Sequence, residues 1–393
     1  MKFAILVLYL AGLIASFSRS ATAQNRTHDT VRLTDRRVAL DDRDGRLPVN
    51  IRWAKVLLLS DGRILFFDAL VPRVWIVDKR GQASQLSREG AGPGEYRMPA
   101  FAGEYGGMIW LFDVAQRRTS LFDLSSLRHV QTTPWRAGTH DGWGLGTPAS
   151  FNAHGTAIVP GGGDKRTLDA GAVRWAPVYV VNVATLRVVD SLAKLHVLNA
   201  SHRMVSQSPR RAIVRDQPFT DRSLLGISTD GTLAVIVTQA EEQNRRLDSI
   251  LVVSIRDKKT SKWSAPLTLP RASARGRLQQ LADSQFNTLN ALAKSAGQAT
   301  MPRNLFFEYL FLPKTFVPAV HVLIDDSGAV LIRGNDWAGG QVKYYWFRQD
   351  GRTRHEFTVP STLHIRAIRG NRVVAFEENA DGELTMITAT LSP

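Results

Sequence analysis

Asp61-Gly62-Arg63-Ile64-Leu65-Phe66-Phe67-Asp68, with Trp75-Ile76-Val77-Asp78 shortly after it, is answered by Gly106-Gly107-Met108-Ile109-Trp110-Leu111-Phe112-Asp113 and Ser120-Leu121-Phe122-Asp123. Gly62 to Gly107, Asp68 to Asp113 and Asp78 to Asp123 are each 45 residues apart. Three landmarks held at one interval, each pinned to the end of an apolar run, mark a structural repeat, and a period of this size belongs to propellers and related arrays. Each unit reads as apolar strand, Gly turn, second strand, polar loop, third strand, turn, and a weaker fourth strand. Short strands with regular turn signals argue for an antiparallel all-β array.

Carried outward, the template finds four more copies. His154-Gly155 precedes Thr156 to Val159, with Val178 to Val183 as the partner strand. Asp230-Gly231 precedes Leu233 to Val237, and Ile250 to Ile255 follows. Ser327-Gly328 precedes Ala329 to Arg333, and Gly370-Asn371 precedes Val373 to Phe376, with Leu384 to Ala389 ending the chain. The expected fold is an all-β, six-bladed β-propeller of four-stranded antiparallel blades, covering 24–393. Blades fall at about 51–97, 98–146, 147–221, 222–319, 320–360 and 361–393. The last blade has room for three strands only, so a strand at about 30–40 is expected to complete it, which removes an exposed sheet edge.

Two insertions break the rhythm. The turn glycines of units three and four lie 76 residues apart and those of units four and five 97 apart. The second gap, at about 271–319, carries Leu278, Leu281, Phe286, Leu289 and Leu292 at helical spacing from Arg275 to Ala296, where Gly297 stops the pattern. A helical insertion between blades 4 and 5 is expected. The aromatic segment Leu305 to Phe316 is too apolar to lie free in water and should pack with that helix.

The second unit also carries a resemblance. Gly90-Ala91-Gly92-Pro93-Gly94-Glu95-Tyr96, then Pro99, Gly107, Trp110-Leu111-Phe112-Asp113, Arg118 and Leu121-Phe122-Asp123 resembles an NHL-type repeat. The whole looks like the six-bladed propellers exported by bacteria, in which such a glycine-rich segment links two blades. The likeness is specific over 51–133 and poor elsewhere, since the later units carry Gly161, Val237, Gly334 and Phe376 where the first two have aspartate. It implies a fold and leaves activity open, because one fold hosts many functions.

The N-terminus reads as a cleavable signal peptide over 1–23: Lys2 supplies the basic start, Phe3 to Phe17 the apolar run, and Ala21-Thr22-Ala23 the small residues before cleavage. The apolar run is short for a membrane anchor, which needs about 20 residues. The chain of 393 residues has no cysteine, which excludes disulfides, thiol chemistry and a lipidated cysteine. A periplasmic or secreted protein stabilised by its core alone is expected. The formal net charge is +15, carried mainly by 39 arginines, and such a field favours anionic partners. No run of four basic residues occurs and no specific nucleic-acid motif is present.

In a propeller, the links between blades and the loops between second and third strands share one face. That rule places Arg73, Arg118, Arg174, Arg246, Asp336 and Trp337 around one rim as ligand-binding candidates. The Trp337 indole, beside polar groups, suits sugar or peptide stacking. Gly62, Asp68, Gly90, Gly92, Gly94, Glu95, Gly107 and Asp113 read as residues of the repeat itself. The glycines are expected to supply positive φ, and each aspartate is expected to pair with the arginine five residues on. Histidines are natural metal ligands, and a site built from different blades would draw on His154, His321 and His364. No pair sits at metal-ligand spacing, so no metal and no cofactor is expected. The sequence thus describes a monomeric binding module for a small molecule, glycan or protein, with anionic partners favoured. The alternative is a propeller enzyme of the lyase or lactonase kind acting at the channel mouth.

Overall fold

The computed structural model describes residues 31–41, 46–47, 51, 54–68, 71–136, 138–141, 143–162, 174–197, 201–205, 212–216, 223–242, 245–255, 261–267, 269, 271, 273, 276–295, 300–308, 310, 315–335 and 340–393. The signal segment at 1–23 lies outside the described residues. Six blades of four antiparallel strands form a propeller ring. The innermost strands are Ala54–Leu58, Pro99–Tyr105, Ser150–Phe151, Leu224–Ile227, Ala319–Ile324 and Leu363–Arg369. In each blade the second strand is almost wholly buried, as in Ile64–Asp68, where all five residues are covered.

That burial explains why these strands read as unbroken apolar runs. Successive side chains on a strand point to opposite faces, and here both faces pack against a neighbouring blade. Ile64 and Phe66 enter the core shared with blade 6, while Leu65 and Phe67 enter the core shared with blade 2. Ile109 and Leu111 face blade 1, and Trp110 and Phe112 face blade 3. The same division recurs around the ring, giving six cores that each belong to two blades. The turn between first and second strands holds a positive-φ glycine in every unit, at Gly62, Gly107, Gly155, Gly231, Gly328 and Gly370. These are the landmarks from which the repeat register was read.

Blade 6 takes its fourth strand from the start of the described chain: Arg32–Asp41 pairs antiparallel with Leu384–Ser392, from Arg32 opposite Ser392 to Asp41 opposite Thr385. Blade 3 departs most from the template. Its outer strand runs over Arg187–Val197, and the short strand Trp143–Leu145, hairpin partner of Thr139–His140, adds to the far end of its second strand. A separate hairpin, Ser201–Val205 with Ala212–Asp216, occupies the long interval between units three and four. Helix α1 (Leu278–Ser295) lies between blades 4 and 5 and shares a small core with the short helix α2 (Arg303–Glu308) and Phe316, through Leu281, Phe286, Met301 and Phe306.

Ring closure generates a test. Leu391 is fully buried where the closing strand meets blade 5, whereas Val38 on the partner strand is 65% exposed. Leu391→Ala should cost about 2–5 kcal/mol in denaturant unfolding, the range for a truncated core leucine. Val38→Ala should stay within about 0.5 kcal/mol. Equal effects would contradict the closure.

Candidate functional site: a cationic channel with a closed floor

The six inner strands surround a cavity of about 390 Å³. Its lower end, where first strands turn into second strands, is crossed by side chains and backbone from opposite sides of the ring. The Arg369 guanidinium (blade 6) donates to Glu104 Oε2 of blade 2 at 3.2 Å and to the Leu58 carbonyl of blade 1 at 3.1 Å, and lies 2.8 Å from Asp326 Oδ2 of blade 5. Glu104 accepts from the Ser60 N–H at 2.7 Å and also from the Ser60 hydroxyl. The Glu104 N–H reaches across to the Thr229 carbonyl of blade 4 at 2.9 Å. This approach needs Gly103, because a Cβ there would stand 2.8 Å from the Thr229 oxygen and 2.5 Å from Trp110 Nε1. Burial, then Asp230 nearby, raise the Asp326 pKa against the lowering pull of Arg369.

Above that floor the wall carries Lys55, His321 and Arg366, from the inner strands of blades 1, 5 and 6. Among the described residues no aspartate or glutamate lines the cavity. Lys55 is solvent-accessible yet surrounded by the ring, and burial followed by the charge of Arg366 lowers its pKa. Its ammonium lies 5.4 Å from the centre of the Phe101 ring of blade 2. Arg366 donates to the Ala54 carbonyl at 2.9 Å, and desolvation brings its pKa down to about 10. Arg333, opposite His321 in the sheet, adds a further positive charge behind it. Burial first, then Arg366, Lys55 and Arg333, hold the His321 pKa well below the ordinary histidine range, so its imidazole is neutral near pH 7.

The rim residues play other parts. Arg118 donates to the carbonyls of Ala91, Gly92 and Glu95, at 2.9, 2.6 and 2.7 Å, fastening the glycine-rich link. Asp113 accepts from the backbone N–H groups of Arg97, Met98 and Gln116 and from the Gln116 amide. The expected Asp113–Arg118 ion pair is therefore replaced by two separate braces on backbone. Asp68 is buried at the matching position of blade 1, and Arg73 is exposed in the strand Val71–Val77.

The link also departs from its expected chemistry. Gly94 has positive φ, but Gly90 and Gly92 do not. A Cβ at either would collide with the Glu95 carboxylate, at 2.1 and 2.9 Å from Oε2. Glu95 accepts from the Gly92 N–H at 2.7 Å and from Arg88 at 2.5 Å, so the nest that could cradle an external anion is filled by the chain's own carboxylate.

The side chains of Arg174 and Arg246, and the whole of Asp336 and Trp337, lie outside the described residues. His154 sits exposed in the lower turn of blade 3, His321 in the channel wall and His364 near the start of the blade 6 inner strand. Among the described residues no group of three His, Cys, Asp or Glu side chains is placed to hold a metal ion. Sequence reasoning passed over Lys55, Arg333, Arg366, Glu104 and Arg369. The signal was present: Ala54-Lys55-Val56-Leu57 and Ile365-Arg366-Ala367-Ile368 each set one cation directly between apolar residues of an inner strand.

No family model matches the chain, and no curated protein matches it in sequence. Solved structures with a related fold include a Bacteroides fragilis protein thought to be exported, 10% identical, TM-score 0.48, covering 93% of this chain and 97% of that one. A gluconolactonase of Xanthomonas campestris is 10% identical with TM-score 0.41, covering 86% of each chain. The calcium-binding protein regucalcin of Agrobacterium tumefaciens is 12% identical with TM-score 0.37, covering 86% and 90%. At such identities and scores these likenesses carry no weight for activity.

Asp113 supplies a test of the link. Burial raises its pKa, but the hydrogen bonds from Arg97, Gln116 and Met98 outweigh burial and the net shift is downward. A depressed folded pKa stabilises above the unfolded carboxylate value, about 4, and this contribution is lost as pH falls through the folded value. Asp113→Ala should therefore cost about 1–3 kcal/mol at pH 7, the range for orphaned buried donors. In urea unfolding, the gap from the unaltered protein should narrow as pH falls below about 4. A gap constant across pH would refute the account.

Proposed function

We propose that this chain is an exported binding module whose central channel holds a small anion. The observation that carries the reading is the convergence of Lys55, Arg366 and the neutral His321 in one enclosed cavity without a carboxylate. Burial, then the charge of Arg366, lowers the Lys55 pKa, and burial, with the charge of Arg333, lowers that of Arg366, so each cation carries a desolvation cost and a like-charge cost. An anion entering the cavity relieves both. The floor supports a binder as well, since its charged groups are engaged with one another. Export rests on the N-terminal targeting pattern and the absence of cysteine. The lyase or lactonase alternative would draw on His, Asp and Glu side chains converging at the channel mouth, whereas the wall supplies cations and aliphatic groups.

Calorimetric titration of the purified chain with phenylacetate, and with its uncharged amide as control, tests the reading. The acid should bind and the amide should not. Lys55→Met and Arg366→Met should each weaken binding by about tenfold or more, as expected for loss of a hydrogen bond to a charged group. Because the Lys55 pKa is lowered, affinity should decline as pH rises, with the decline beginning before pH reaches 10.5, the ordinary lysine value, as its ammonium deprotonates. Equal binding of acid and amide, or variants that bind as the unaltered protein does, would sink the proposal.

A further inference from the structure

The cavity is not uniformly cationic, and its asymmetry says what kind of anion fits. This inference rests on the anion reading above and narrows it. Lys55, His321 and Arg366 come from the three consecutive blades 5, 6 and 1, so one half of the wall holds all the cationic and titratable groups lining it. Blades 2, 3 and 4 supply the facing half, mainly apolar through Phe101, Ala149, Leu225 and Ile227, with Thr147 and Thr229 as its uncharged polar members. The division also runs downward. Two residues further along the strands of Lys55 and His321, on the same face, stand Leu57 and Leu323, and Ile368, beyond the bulge at Arg366, lines the cavity with them. At about 3.3 Å per residue, this aliphatic layer lies about 7 Å below the cations. Beneath it the floor is closed by Arg369, Glu104 and Asp326, already engaged with each other.

We infer that the ligand is an amphipathic acid: a compact carboxylate attached to an aromatic or aliphatic body. The carboxylate sits among Lys55, Arg366 and His321, with the neutral imidazole free to donate one hydrogen bond to it. The apolar body leans on Phe101 and Leu225 and reaches down to Leu57, Leu323 and Ile368. A polyhydroxylated or multiply charged ligand is disfavoured, because its polar groups would lose water against aliphatic side chains without gaining partners. Lys55, held near the Phe101 ring, marks the boundary between the halves.

The experiment compares acetate, inorganic phosphate, phenylacetate and octanoate by calorimetric titration of the full chain. Phenylacetate and octanoate should bind at least about tenfold more tightly than acetate, since burying a few carbons of apolar surface is sufficient for that gain. Leu225→Asn should lower phenylacetate affinity by about tenfold while leaving acetate binding unchanged. Phe101→Leu, which keeps the apolar character but removes the ring, serves if the first variant does not fold, and should weaken phenylacetate more than octanoate. Acetate or phosphate binding as tightly as the longer acids would overturn this inference and leave the anion reading standing. Binding of no anion at all would overturn both.

Discussion

Every blade of this ring is buried on both faces, and no blade owns a core by itself. Each of the six principal apolar clusters draws its side chains from two neighbouring sheets. Such an arrangement is stable only when the first and last sheets also meet, since an open ring would expose one face of each. The pairing of Arg32–Asp41 with Leu384–Ser392 is thus more than an edge repair: it holds blade 6 in place between the cores shared with blades 5 and 1. The closing strand contributes Val31 to one of those cores and Leu40 to the other.

Closure in turn fixes the inner strands around a cavity, and the floor shows how the ring resists shear across it. Arg369 and Glu104 span from blade 6 to blade 2, and the Glu104 backbone continues to blade 4. Breaking a buried pair by removing one partner generally costs more than the pair contributes, because the other charge is left without compensation. The floor is accordingly a braced boundary beneath the cationic layer. Polarity is therefore partitioned by height: paired charges at the bottom, aliphatic groups next, and cations above.

The fold was legible because it is written in periodic features. A positive-φ glycine at each first turn and an apolar run for each second strand survive even where the 45-residue spacing fails, so six units and the missing fourth strand of the last could be read directly. The helix was legible through Leu278, Leu281, Phe286 and Leu289, which do share one core. Blade 3 was less so, because its extra hairpin at Thr139–Leu145 and its long outer strand follow no repeat. The site was poorly legible for a physical reason. A residue's place in the channel depends on which face of an inner strand it takes, and Lys55 and Arg366 look in sequence like isolated charges in ordinary strands. The rim arginines follow from strand order alone, and strand order places a side chain on a face without saying what it contacts: Arg118 fastens the backbone of the link.

The bulk charge of the chain therefore argues less than its distribution. Much of the arginine content is spent internally: Arg118 fastens the glycine-rich link, Arg271 pairs with Asp248, Arg369 ties the floor, and Arg354 pairs with Glu356 while lying over the rings of Tyr345 and Phe347. Guanidinium suits such work because its planar fork can hold several carbonyls or a carboxylate at once. Those residues raise the net charge without offering a binding surface. Lys55 and Arg366 differ by being enclosed together, where salt screens poorly and each charge is felt by the other. A field of +15 spread over a large surface attracts anions weakly and without selection. The same attraction confined beside an aliphatic wall selects for shape as well as charge.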